Sequence, residues 1–140
     1  MESIWKKEFE IDLLNRVTKE SCAGNLGIEF LKKGEDFISA AMPVDKRTKQ
    51  PLGILHGGAS VVLAETLGST ASYMTLDDSC NCVGLEIKAN HLRSITEGKV
   101  IGVVTPIHLG KTTQVWDISI KNEENKLICI SRLTLAILKS

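Results

Sequence analysis

The sequence has no excess of charge: Lys plus Arg and Asp plus Glu stand at 17 each. Without a summed field to draw it to polyanions, neither a nucleic-acid nor a membrane partner is expected, although Lys46-Arg47-Thr48-Lys49 is a local basic cluster. Cysteines are few and scattered. Cys22, Cys80, Cys82 and Cys129 do not make a disulfide framework, and Cys80-Asn81-Cys82 is not the Cys-x-x-Cys of zinc and redox sites. The three histidines lack metal-ligand spacing, so no metal is expected, and unpaired thiols suit a reducing cytoplasm. An apolar signal core is missing from the first ten residues, where acids and bases mix, so no secretory leader is expected. No repeat, linker or low-complexity stretch divides the chain. Its 140 residues, 43% hydrophobic and 24% charged, predict one globular domain spanning residues 1–140.

Charge is nearly missing between His56 and Asp77, where Glu65 is the one charged residue. Residues 59–76 approach membrane-spanning length, but Glu65 and several Gly, Ser and Thr residues make a poor span. The stretch predicts a helix apolar on nearly all sides, which belongs in a core or at a packed interface. Ionised carboxylates are rarely buried unless paired. No Lys, Arg or His lies within a helical turn of Glu65. Glu65 is therefore the leading candidate for chemistry.

Around this helix the pattern changes. Ile11 to Val17 has helical spacing, with Gly24 or Gly27 ending the segment. Ile28–Leu31 and Phe37–Met42 predict two strands joined by a turn through Lys33-Gly34-Glu35-Asp36. Pro43 to Leu55, with two prolines, a glycine and a run of polar residues, predicts a long loop of the kind that is usually functional. Four strands are expected after Asp77-Asp78-Ser79: Cys82–Leu92, Lys99–His108, Thr113–Lys121 and Leu127–Leu138. Val115, Asp117, Ser119 and Lys121 alternate with Trp116, Ile118 and Ile120, giving one polar and one apolar face. One long apolar helix against a curved antiparallel sheet of five to six strands is an α+β solution to core burial.

His56-Gly57-Gly58 directly precedes the helix. Glycines let backbone approach a ligand, and free N–H groups at a helix start favour a developing oxyanion. The same pair also serves as a plain tight turn, and His56 as a simple cap. Ser69, four residues after Glu65, shares its face and is able to orient a carboxylate or water; it is equally able to bond back to the helix backbone. Gly57 and Glu65 are eight residues apart, about 12 Å along the axis at ~1.5 Å per residue. Catalytic groups must come within ~3 Å of the reacting atoms. One helix does not easily place both around one carbonyl, whereas an antiparallel copy from a second subunit does. A site shared across a dimer is expected.

The run Gln50-Pro51-Leu52-Gly53-Ile54-Leu55-His56-Gly57-Gly58 through Glu65 to Ser69 resembles the signature of hotdog-fold acyl-CoA thioesterases. The similarity extends over Met42-Pro43-Val44-Asp45, Gly84-Leu85-Glu86-Ile87, Ala89-Asn90-His91-Leu92-Arg93 and Ser131-Arg132-Leu133-Thr134. The chain looks closest to the bacterial aroyl-CoA branch of menaquinone and enterobactin metabolism. The resemblance implies that Glu65 attacks the thioester carbonyl or activates water, while the Gly57 amide of the neighbouring subunit polarises that carbonyl. It puts Gln50 and His56 near the thioester or leaving group, and Ser69 beside a water or the carboxylate. Gly84, His91, Leu92, Arg93 and Ser94 are implied pantetheine and nucleotide contacts, joined by the turn His108-Leu109-Gly110-Lys111-Thr112-Thr113. Lys111 stands where the family pattern has an arginine. No separate cofactor is implied, since CoA is part of the substrate, and the implied assembly is a homotetramer.

The chemistry is sound without the resemblance. Thioesters have weak resonance stabilisation, so one carboxylate and preorganised donors suffice without a metal. Arg93 suits phosphate through its planar fork of donors. The leading expectation is hydrolysis of aroyl-CoA, with 1,4-dihydroxy-2-naphthoyl-CoA or benzoyl-type thioesters as substrates. Hydrolysis of acyl groups on a carrier protein, a carrier-protein dehydratase and a non-catalytic acyl-CoA-binding protein are the alternatives. The immediate His-Gly-Gly and the His-to-Glu spacing argue against the dehydratase, and the length leaves no room for a sensor's DNA-binding domain. Leu52, Ile54, Tyr73 and Met74 are candidate acyl-pocket residues.

Overall fold

The computed structural model describes residues 2–140. Its elements follow the chain as α1 (Ile11–Thr18), α2 (Cys22–Asn25), β1 (Glu29–Lys33), β2 (Ile38–Pro43), α3 (Gly57–Met74), β3 (Cys80–His91), β4 (Lys99–Leu109), β5 (Thr113–Asn122) and β6 (Leu127–Lys139). The six strands form one antiparallel sheet in the order β1-β2-β4-β5-β6-β3, and α3 lies across it. The expected α+β architecture is therefore present, with all six expected strands found and each of their ends within two residues of the expected position. The short α2, which the sequence reading did not separate from the first helix, is capped by Ser21, whose hydroxyl accepts from the Gly24 N–H.

Strand β5 shows why the sheet has one dry face. Gln114, Trp116, Ile118 and Ile120 are buried against α3, while Val115, Asp117, Ser119 and Lys121 stay half-exposed on the other side. From α3, Leu63, Ala64, Leu67 and Ala71 are fully buried on this apolar floor. Truncating a buried leucine of this kind to alanine typically costs about 2–5 kcal/mol. The floor also carries a polar chain: Trp116 Nε1 donates to Gln114 Oε1, Gln114 Nε2 to Thr75 Oγ1, and Thr75 Oγ1 to the Ser72 carbonyl. It ties the central strand to the end of α3 while satisfying groups that would otherwise be costly to bury.

The helix is covered on one side only, so its own chain supplies the core for one face and leaves the other half-open, the second of the settings its sequence allowed. Val61, Val62, Glu65, Thr66, Ser69 and Thr70 form a half-buried stripe at three- and four-residue spacing. The sheet packs against the opposite face, so an apolar sequence does not guarantee that one chain encloses it. Among the described residues no helix is long and apolar enough to cross a membrane.

The two sheet edges differ. On β1, the Asn15 side chain accepts from the Phe30 N–H at 2.7 Å and donates to the Phe30 carbonyl at 3.1 Å, so α1 seals that edge. Strand β3 ends the other side, pairing only with β6 over its 12 residues. Its exposed residues include Val83 and Leu85. A bare edge of this length is a template for pairing with another chain.

Candidate active site

Strand β3 runs opposite to α3, and its inward side chains meet the helix in sequence. His91 lies at Gly57, Gly84 at Glu65, and Cys82 at Ser69, where Cys82 Sγ contacts the Ser69 carbonyl at 3.9 Å. This order rests on a β-bulge. Gly84 pairs with Leu135 and Glu86 with Thr134, leaving Leu85 as the extra residue. Strict alternation would bring Glu86 inward beside Gly84; the bulge turns Glu86 outward and brings Ile87 in, opposite the buried Leu133. Glu65 is thereby the acid facing this part of β3.

The start of α3 has one unused donor. The first four N–H groups of a helix have no intrahelical acceptor. Here Gly58 N–H donates to His56 Nδ1 at 2.8 Å, and Ala59 and Ser60 donate to the His56 carbonyl at 3.0 and 3.2 Å. Among the described residues the Gly57 N–H has no partner. His56 is thus the cap, one of the two roles its position allowed. With Nδ1 accepting, a neutral His56 ring carries its proton on Nε2.

Gly57 opens on a cavity of about 360 Å³ that gathers Gln50, His91, Leu92, Arg93 and Ser94. Ile54 lines it too, together with Leu55, Ser60 and Ile128, which the sequence reading did not single out. Ser60 had a usable signal, lying one helical turn beyond Gly57. The cavity wall is fixed by the Pro43–Leu55 loop. His56 N–H donates to the Thr48 carbonyl, Leu55 N–H to the Ile95 carbonyl, and Gln50 Oε1 accepts from the Leu52 N–H. Hydrogen bonds from Arg47 hold the exposed Asp45 carboxyl in this loop at about 2, well below the usual carboxylate range.

Glu65 stands apart from this cavity, half-buried in the middle of α3 with Ser69 one turn on. The two ion pairs among the described residues, Lys7–Asp78 and Arg47–Asp45, do not involve it. The third group lies at the other end of the helix. There Leu109, Gly110 and Lys111 border a cavity of about 540 Å³ together with Thr75, Leu76 and Cys80. His108 pairs with Val115 toward the outer face of the sheet, and the Thr112 carbonyl accepts from the Ile137 N–H as β5 begins at Thr113. The expected residues thus fall into three groups along one α3–β3 pair: Gln50, Gly57 and His91–Ser94 at one end, Glu65, Ser69 and Gly84 in the middle, and His108–Thr113 at the other. Of the expected acyl-pocket residues, Leu52 is 83% and Tyr73 43% exposed, whereas Met74 is 8% exposed and belongs to the core. Among the described residues no cluster of three or more His, Cys, Asp or Glu could hold a metal ion.

The six-stranded antiparallel sheet wrapped on one helix is the α+β arrangement of the hotdog fold. The thioesterase superfamily matches residues 52–129, from the loop before α3 into β6, and the chain belongs to that family. It is 53% identical over 135 residues to the 1,4-dihydroxy-2-naphthoyl-CoA hydrolase of Escherichia coli strain K12, covering 96% of this chain and 99% of that protein. It is 47% identical over 135 residues to the proofreading thioesterase EntH of Cronobacter turicensis, covering 96% and 98% of the two chains. A solved thioesterase from Haemophilus influenzae superimposes with a TM-score of 0.95 at 53% identity, covering 97% of this chain and 95% of that one. The protein is an enzyme, a thioester hydrolase.

Proposed function

We propose that the protein hydrolyses aromatic acyl-CoA thioesters, 1,4-dihydroxy-2-naphthoyl-CoA among them, at a site shared by two antiparallel subunits. The observation that carries this reading is the unpartnered Gly57 N–H. It sits eight residues from Glu65 on one helix, so a second chain must supply one of the two groups. The bare β3 edge and the half-buried stripe of α3 support that arrangement, since strand pairing through β3 would bring two α3 helices side by side. The resemblance to aroyl-CoA thioesterases and the name of the Escherichia coli relative support the substrate class.

In this reading the thioester carbonyl accepts from Gly57 N–H of one subunit while Glu65 of the other faces the carbonyl carbon. Either the Glu65 carboxylate bonds to that carbon and the CoA thiolate leaves, with water then cleaving the anhydride, or Glu65 takes a proton from the attacking water. Both routes need the oxyanion stabilised as it forms. Gln50 and His56 lie toward the leaving group, with Ser69 holding a water. His91, Leu92, Arg93, Ser94 and the His108–Thr113 turn hold pantetheine and phosphates, with Lys111 as a point charge in place of an arginine fork. No further cofactor takes part. Dimers pair into a homotetramer, and the cytoplasm is the compartment, as the cysteine usage suggests. A second reading, hydrolysis of acyl groups on a carrier protein, is favoured by the proofreading thioesterase among the relatives.

Glu65→Gln tests the assignment directly. Hydrolysis of an aroyl-CoA panel should fall roughly 10²–10⁴-fold, the range for loss of an acid–base group, with folding and CoA binding retained. Turnover near that of the unaltered enzyme would refute the role. Sharing is tested by hybrids of Glu65→Gln with Gly57→Pro subunits. Proline is tolerated at the first helical position, and His56 already has the extended backbone that precedes a proline. Verified hybrids should recover activity that neither parent has; none recovered would exclude a shared site.

A further inference from the structure

We propose that Gly84 is a positioning residue for Glu65, its missing side chain being the slot in which the carboxylate rests. This rests on the catalytic reading of Glu65 and gives Gly84 a role other than contact with CoA. A Cβ built on Gly84 would lie 2.8 Å from Glu65 Oε2, closer than real Cβ contacts allow. Its next neighbours, Glu65 Cδ and Leu133 Cδ1, are both at 3.8 Å, an ordinary contact distance. The carboxylate is therefore the single group that a side chain here would displace.

That group is the free end of a flexible side chain, whereas the strand behind it is fixed by pairing with β6. An added methyl should leave the fold in place and move the carboxylate. The β-bulge gives the slot its specificity. By placing the extra residue at Leu85 it keeps Gly84 facing α3 while Glu86, two residues on, faces away. The sheet thus presents one bare backbone position to one acid, and denies the space to a second acid that would repel it.

The test is Gly84→Ala, assayed with benzoyl-CoA in the otherwise unaltered enzyme and in a Glu65→Asp background. A displacement on the order of 1 Å can cost roughly 100-fold, so kcat should fall by about that factor with KM and the melting temperature little changed. Aspartate is one methylene shorter and withdraws its carboxylate from the slot, so Gly84→Ala should cost much less there. Four results would overturn the proposal: an unaltered kcat, a raised KM with kcat intact, an equal loss in both backgrounds, or a large fall in melting temperature. Failure of the underlying reading looks different, since Glu65→Gln would then remain active whatever Gly84→Ala does.

Discussion

The imidazole of His91 packs over the backbone of Gly57, so closely that a Cβ on Gly57 would stand 2.9 Å from His91 Nε2. The same glycine carries the free amide at the start of α3, so substitutions there separate two effects. Gly57→Ala keeps the N–H but pushes the imidazole aside; Gly57→Pro removes the N–H as well. We expect Gly57→Ala to raise KM for CoA thioesters about tenfold, near the 1.4 kcal/mol of one hydrogen bond, with most of kcat retained. Gly57→Pro should lower kcat by a further 10²–10³-fold, the usual effect of removing one oxyanion donor. Steady-state kinetics on both variants decides this. An equal loss of kcat in the two would mean that the amide is not the working group.

How much of this was legible beforehand follows from what sequence patterns encode. The alternation in β5 was readable because one face of that strand is dry and the other open. Strand β3 hides its logic: its charges and small residues look alike on both faces, because it is an edge with little burial to enforce alternation. The bulge at Leu85 leaves no local signal, so the turning-out of Glu86 and the pairing of Gly84 with Glu65 emerge only in three dimensions. Glu65 itself stood out as a lone charge, yet its half-exposure did not, since nothing in an apolar helix says which face its own chain will cover. His-Gly-Gly allowed a cap, a plain tight turn and an open amide; the hydrogen bonds of Gly58, Ala59 and Ser60 make His56 the cap and leave the Gly57 N–H open.

The edge asymmetry predicts a stability effect far from the site. Asn15 satisfies both the N–H and the carbonyl of Phe30 on β1. Asn15→Ala should lower unfolding stability by about 1–3 kcal/mol, the cost of leaving partly buried polar groups unpaired, as read by urea denaturation. It should also expose a second pairing edge, so a concentration-dependent rise in light scattering should accompany the loss. A variant with normal stability and no association would show that water replaces Asn15 without penalty.

The thiols give a prediction with a defined sign. Burial pushes the Cys129 thiol above its ordinary range, while Cys22 is exposed. Only the thiolate reacts with iodoacetamide, so Cys22 should be labelled first near neutral pH and Cys129 only after denaturant opens the core. The raised value also links to stability. Unfolding returns the Cys129 thiol to its lower, ordinary pKa, so the neutral thiol stabilises the fold fully below that value. This contribution is lost as pH rises through the folded-state value. Cys129→Val keeps an apolar group in the same place and removes the titration. Its unfolding stability should therefore decline less between neutral and strongly alkaline pH than that of the unaltered protein. Identical alkaline profiles, or labelling of Cys129 in the folded state as fast as Cys22, would contradict the buried setting of this thiol.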